Sequence, residues 1–169
     1  MKDPIWIDER DALALHGRLL ALHGGAAGLR DIGLLKSALA RPQQHFAYAE
    51  SADIIGMATA YTAGIVRNHP FVDGNKRTGF VVGILFLELN GYRFTASEED
   101  AAQAVLELAA GNLDETGYSD FLRANVAREK RKRQCSAERC RLITMLRTRL
   151  SFPVTAFCSV DFGTFRSAS

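Results

Sequence analysis

Apolar positions in the first 127 residues recur at helical rather than strand spacing. Leu15, Leu19 and Leu22 stand at i, i+4 and i+7 behind Asp8, a suitable helix cap, and Gly24-Gly25 ends the segment. A short helix is predicted from Asp31 through Leu39. It should stop before Arg41-Pro42, because proline disfavours the helical conformation in its predecessor. Residues 43–50 have period-2 hints and no helical stripe, which predicts a loop or short hairpin. Ser51 or Asp53 then opens a helix to about Arg67, with Ile54, Ala58, Tyr61 and Ile65 on one side.

From Asn75 to Leu89 the chain is apolar nearly all round, with Phe80, Val81, Val82, Ile84, Leu85, Phe86, Leu87 and Leu89. A helix without a polar face must be enclosed by others, so this one is predicted to be central. Asn90-Gly91 closes it. Ser97 with Asp100 resembles a capping box for a helix to about Ala110, which Gly111 stops. A last helix is predicted from about Glu115 to Ala127, with Tyr118, Phe121, Leu122 and Val126 turned inward. The fold class that follows is all-α, a single domain of about six helices.

Composition changes this picture mainly at the C-terminal end. Hydrophobic residues make up 47% and charged residues 24% of 169, the balance of an ordinary globular protein. No apolar run approaches the roughly 18 residues of a membrane span. The start, Met1-Lys2-Asp3-Pro4, lacks a signal peptide's apolar run, and a cytoplasmic location is expected. Residues 1–127 hold 11 basic and 16 acidic residues, a net −5, whereas residues 128–169 hold 10 and 3, a net +7. The sign change predicts a domain over residues 1–127 and a basic extension over 128–169, which also contains Phe152, Phe157, Phe162 and Phe165. Cys135, Cys140 and Cys158 are an odd number near one end and form no disulfide framework.

The chemically dense segment is HPFVDGNKRT, residues 69–78, between two predicted helices and leading into the central one. A helix start offers free N–H groups and the positive end of the dipole, so it is an anion site. Gly74 lets backbone approach a ligand closely, while Lys76 and Arg77 add positive charge where the helix itself prefers acids. A polyphosphate would compensate them. Asp73 is a hard oxygen ligand placed where Mg²⁺ could bridge to such phosphates. His69 is suited to take a proton from an attacking hydroxyl near neutral pH. Taken singly, each of these residues could be an ordinary turn or solvated first-turn residue. Their concentration before a wholly apolar helix argues for a site.

His69, Phe71, Asp73, Gly74, Asn75, Lys76 and Arg77 resemble the signature H-x-F-x-(D/E/N)-(A/G)-N-(G/K)-R of the Fic/Doc superfamily. Residues 28–42, GLRDIGLLKSALARP, are similar to the amino-terminal segment common in Doc-like proteins, and the resemblance covers roughly residues 7–127. Fic adenylyltransferases have glycine where this chain has Lys76, and a second arginine where it has Phe80. Both departures point to the Doc branch, death-on-curing toxins that resemble protein kinases in reaction. There the γ-phosphate of ATP is thought to face the target hydroxyl. The physics agrees: a lysine fills the room that glycine leaves for the α-phosphate, and an apolar Phe80 cannot grip phosphate.

The resemblance implies His69 as general base, Asp73 as Mg²⁺ ligand and orienter of His69, and Gly74 with Asn75 as backbone cradle. Lys76 and Arg77 would stabilise the transferring phosphoryl group, and Arg67 is a weaker candidate for phosphate binding. Residues 41–50 stand where the family carries a flap that aligns the target by strand pairing. The implied biology is a bacterial toxin–antitoxin pair: the toxin uses ATP and Mg²⁺ to phosphorylate elongation factor Tu and halt translation. No S/T-x-x-x-E-G/N inhibitory helix stands out in this chain, so a small antitoxin would neutralise it.

Two alternatives remain at this point. One is a Fic-type adenylyltransferase. The other is a non-enzymatic nucleic-acid binder led by the basic stretch from Arg128 to Arg149, although a solvated terminal helix is the favoured reading there and a nucleic-acid partner is not expected. His16 and His23, seven apart, lack a third metal ligand and are read as surface residues.

Overall fold

Local capping decides where most helices begin. The computed structural model describes residues 3–48 and 53–129. Asp8 opens α1 (Glu9–His23) with a reciprocal capping box to Asp11, and Gly24 closes it. Asp31 accepts the N–H groups of Gly33 at 2.6 Å and Leu34 at 3.2 Å, capping α2 (Ile32–Tyr48). Asp53 caps α3 (Ile54–Asn68), Ser97 caps α5 (Glu98–Ala110), and Asp114 caps α6 (Glu115–Ala124).

The central helix is α4 (Asn75–Leu89), buried on almost every turn as its all-round apolar sequence requires. It lies along α3 because its facing residues are small. A Cβ on Gly79 would stand 2.9 Å from Val66 Cγ2 and 3.0 Å from the Thr62 carbonyl. At Gly83 a Cβ would press on Thr62 Oγ1 and on the Ala58 carbonyl. Side chains here would drive the two helices apart and lift the loop that joins them. Tyr61 and Phe86, both fully buried and 5.0 Å apart between ring centroids, fill the far end of this seam.

The expectation of six helices holds, but the β element lies elsewhere than at residues 43–50, and two boundaries differ. First, α2 does not stop before Pro42; it runs on to Tyr48, so residues 43–48 are helix rather than loop or flap hairpin. An interior proline costs a hydrogen bond and a clash with the carbonyl four residues back. Here Leu35, Leu39 and Pro42 are buried along one stripe, and Phe46 continues it, edge-on to Trp6 at 5.6 Å. Burial of that stripe outweighs the local penalty.

Second, α6 ends at Ala124 rather than Ala127. Residues 126–128 form β2 (Val126–Arg128), antiparallel to β1 (Tyr92–Phe94), with Tyr92 opposite Arg128 and Phe94 opposite Val126. Thr95 N–H to the Asn125 carbonyl (2.9 Å) and Glu129 N–H to the Gly91 carbonyl (2.8 Å) extend the pair at both ends. The strand thus crosses the expected boundary at residue 127. The basic stretch beyond Glu129, the four late phenylalanines and all three cysteines lie outside the described residues.

Because the β1–β2 pairing is complete at Glu129, truncation after that residue is expected to leave a folded domain. Truncation after Ala127 loses the Arg128–Tyr92 pairing and the Glu129 bond, at about 1 kcal/mol per hydrogen bond, and should melt several degrees lower. Thermal melts of the three forms check both statements. A large drop for the 129-residue form would place the extension in the core.

Candidate active site

The loop between α3 and α4 is held from three directions. His69 ends α3 in the left-handed conformation (φ 48°, ψ 55°), the one described residue other than glycine with a positive φ. Its N–H still reaches the Ile65 carbonyl at 3.2 Å, so the strained conformation turns the chain sharply off the helix. Pro70 cannot prolong the helix, and its carbonyl accepts the N–H groups of Arg30 (2.7 Å) and Asp31 (3.1 Å). Phe71 is 1% exposed and bridges Leu29 in antiparallel fashion, while Val72 N–H reaches the Gly28 carbonyl at 3.0 Å. Asn75, itself buried, folds back on Phe71: Nδ2 donates to its carbonyl and Oδ1 accepts its N–H, both at 2.9 Å. Gly74 (φ 73°) then starts α4, with no side chain capping it and no acid in the first turn.

This geometry leaves the chemically useful groups outward and the bracing groups inward. His69 is exposed, and its pKa is held below the ordinary histidine value, first by partial burial and then by the charges of Arg30 and Lys76. Its imidazole is therefore neutral at pH 7 and able to accept a proton. Asp73 is exposed as well. Its Oδ1 accepts the Gly74 N–H at 2.6 Å and its Oδ2 the Ala26 N–H at 3.3 Å, which ties the loop to the turn after α1. Lys76 and Arg77 follow in the first turn of α4, both half-buried. Burial holds His16 and His23 below the ordinary histidine value, and the charge of Arg77 adds to it in both.

Of the sequence-derived candidates, His69, Asp73, Gly74, Asn75, Lys76 and Arg77 occupy one loop-and-helix-start unit. Arg67 is elsewhere engaged. Its guanidinium pairs with Glu115 at the start of α6, and the same carboxylate takes Arg41 from α2 at 2.9 and 3.1 Å. Asn75 contributes a loop brace through its side chain.

Sequence reasoning missed two features. His16 is not on the surface: it is 6% exposed and lies under the loop. The backbone that bridges to the loop beside the site is at Leu29, whereas residues 41–48 of the expected flap are helical. The glycines at 24, 25 and 28, all at positive φ between two capped helices, were the available signal for that loop.

Phe80, which stands where an adenylyltransferase would place its second arginine, packs edge-on against Phe94 of β1 at 5.7 Å. The pattern of the Fic/DOC family matches residues 6–87. The chain is similar to "Protein kinase doc" of Escherichia phage P1, 32% identical over 117 residues, which are 69% of this chain and 92% of that protein. It is also similar to "Toxin Doc" of Mycolicibacterium smegmatis, 38% identical over 97 residues, which are 54% of this chain and 72% of that one. With the motif on its loop before the central helix and a Doc relative matched over nearly its whole length, the chain belongs to the Fic/DOC family of transferases, among its Doc-type members.

Proposed function

We propose that this protein is the toxin of a bacterial toxin–antitoxin pair, a Ser/Thr protein kinase that uses ATP and Mg²⁺ to phosphorylate elongation factor Tu and block translation. The observation that carries this is a neutral, exposed His69 beside a helix start that has two cations and neither a side-chain cap nor an acid. A bare, cation-bearing helix start suits a polyphosphate. Mg²⁺ is commonly held by one or two carboxylates together with substrate phosphates, and Asp73 is an exposed carboxylate of that kind. The donor set therefore fits ATP·Mg²⁺, with Asp73 on the metal and Lys76, Arg77 and the α4 N–H groups on the phosphates.

When bound, ATP supplies the phosphoryl group and the metal neutralises charge on its oxygens. The chain's own residues do the rest. A ring nitrogen of His69 takes the proton of the target hydroxyl as that oxygen attacks. Lys76 and Arg77 meet the charge that develops on the phosphoryl oxygens. The backbone around Leu29, which bridges Phe71, is the stretch beside the loop along which a target segment would pair. An antitoxin covering this face would silence the enzyme. The basic extension on which the nucleic-acid alternative rests lies outside the described residues.

Phosphoryl transfer is favoured over adenylyl transfer because Phe80 is committed to packing on Phe94 and offers no second phosphate grip. Incubating the purified protein with elongation factor Tu, ATP and Mg²⁺, followed by intact mass, is expected to show the gain of one phosphate. A gain of one AMP would move the protein to the adenylyltransferase class. No change would remove this target.

A further inference from the structure

Beneath the loop sits a side chain that neither the motif nor the proposed chemistry uses. The His16 ring, on α1, lies face to face on Phe71, with centroids 3.8 Å apart and planes at 14°. Its Nδ1 is 3.2 Å from Thr78 Oγ1, and Thr78 is wholly buried in the first turn of α4. A Cβ on Gly74 would stand 3.6 Å from the same ring. One imidazole therefore meets the unit at Phe71, before Asp73; at Gly74, where α4 starts; and at Thr78, past Lys76 and Arg77. Its other nitrogen, Nε2, is buried with no hydrogen-bond partner. Phenylalanine or leucine would fill this space without an unpaired polar atom, so packing alone does not account for an imidazole. The bond from Nδ1 to Thr78 does.

We infer that His16 is a positioning residue: through Thr78 and Phe71 it fixes the first turn of α4, and with it Asp73, Lys76 and Arg77, relative to His69. Stacking sets the height of Phe71, and the Nδ1 bond sets the rotation of the α4 start. The kinetic consequence rests on the phosphoryl-transfer reading; the structural one does not.

The test uses His16→Phe, His16→Asn and Thr78→Val in the full-length protein. His16→Phe keeps the stack and loses the bond, whereas His16→Asn places an amide near the Nδ1 position and packs worse. Positioning predicts inverted orders: Phe melts higher than Asn, but Asn keeps the higher kcat. His16→Phe and Thr78→Val should each lower kcat by about 10–100-fold with a smaller change in KM for ATP. The double variant His16→Phe/Thr78→Val should be no worse than the poorer single.

Amide hydrogen exchange reads the same effect without activity. Exchange over residues 71–78 should speed by about tenfold in His16→Phe and Thr78→Val, while α3 is unchanged. The inference is overturned if kcat follows the melting order, if the double variant is additive, or if exchange is unaltered. If His16→Phe does not fold, Thr78→Val decides by kcat and exchange. Should the wild type transfer no phosphate, the functional reading falls, and exchange alone still judges His16.

Discussion

Replacing His69 with alanine is expected to lower phosphoryl transfer by about 10²–10⁴-fold, the usual contribution of a positioned general base, and so to abolish toxicity. The side chain is exposed, so little packing is lost. The backbone is the complication: residue 69 is left-handed, a conformation asparagine tolerates and alanine resists at roughly 1–2 kcal/mol. His69→Asn should therefore melt close to wild type and be as inactive as His69→Ala. Activity in either variant near the wild-type level would remove His69 as the base. The pH dependence has a defined sign as well. Burial, Arg30 and Lys76 lower the His69 pKa, so the neutral base persists as pH falls to its ordinary value near 6.5. The acidic fall in kcat/KM should set in below that value, and Lys76→Gln should move it upward.

Asn75→Ala is expected to be the most destabilising change among the motif's polar residues. The wild-type amide pairs with both the N–H and the carbonyl of Phe71, in a region where Asn75 is 4% and Phe71 1% exposed. Alanine leaves two buried backbone groups unpaired, each costing about 1–3 kcal/mol. A total of about 2–6 kcal/mol would lower the melting temperature by on the order of 10 °C for a domain of this size. Asn75→Asp keeps the acceptor for the Phe71 N–H but sets a carboxylate against its carbonyl, so it should rescue little. Thermal melts settle the matter: an Asn75→Ala protein as stable as wild type would mean that the brace is not what closes the loop. Arg67→Ala, which loses a half-exposed ion pair to Glu115, is the matched mild control.

What could be read before any fold was known were features whose cause lies within a few residues. Asp8, Asp53 and Ser97 cap helices because a short oxygen side chain reaches an N–H three residues on. Gly24 and Gly111 end helices through their own backbone freedom. The absence of a polar face marked residues 75–89 as central, and the crowding of His69, Asp73, Lys76 and Arg77 before it marked the candidate site. Everything that depended on a distant partner was decided by the tertiary structure. Helix α2 crosses Pro42 because Phe46 finds Trp6, about forty residues upstream. Residues 126–128 leave the helical pattern because residues 92–94 present an edge to pair with. Arg67 is claimed by Glu115 across 48 residues. His16 looked like a surface histidine because its partners, Phe71 and Thr78, lie 55 and 62 residues away along the chain. Caps and stripes are local bonds and local periodicities, whereas the fate of a buried polar side chain depends on which distant group the fold brings against it.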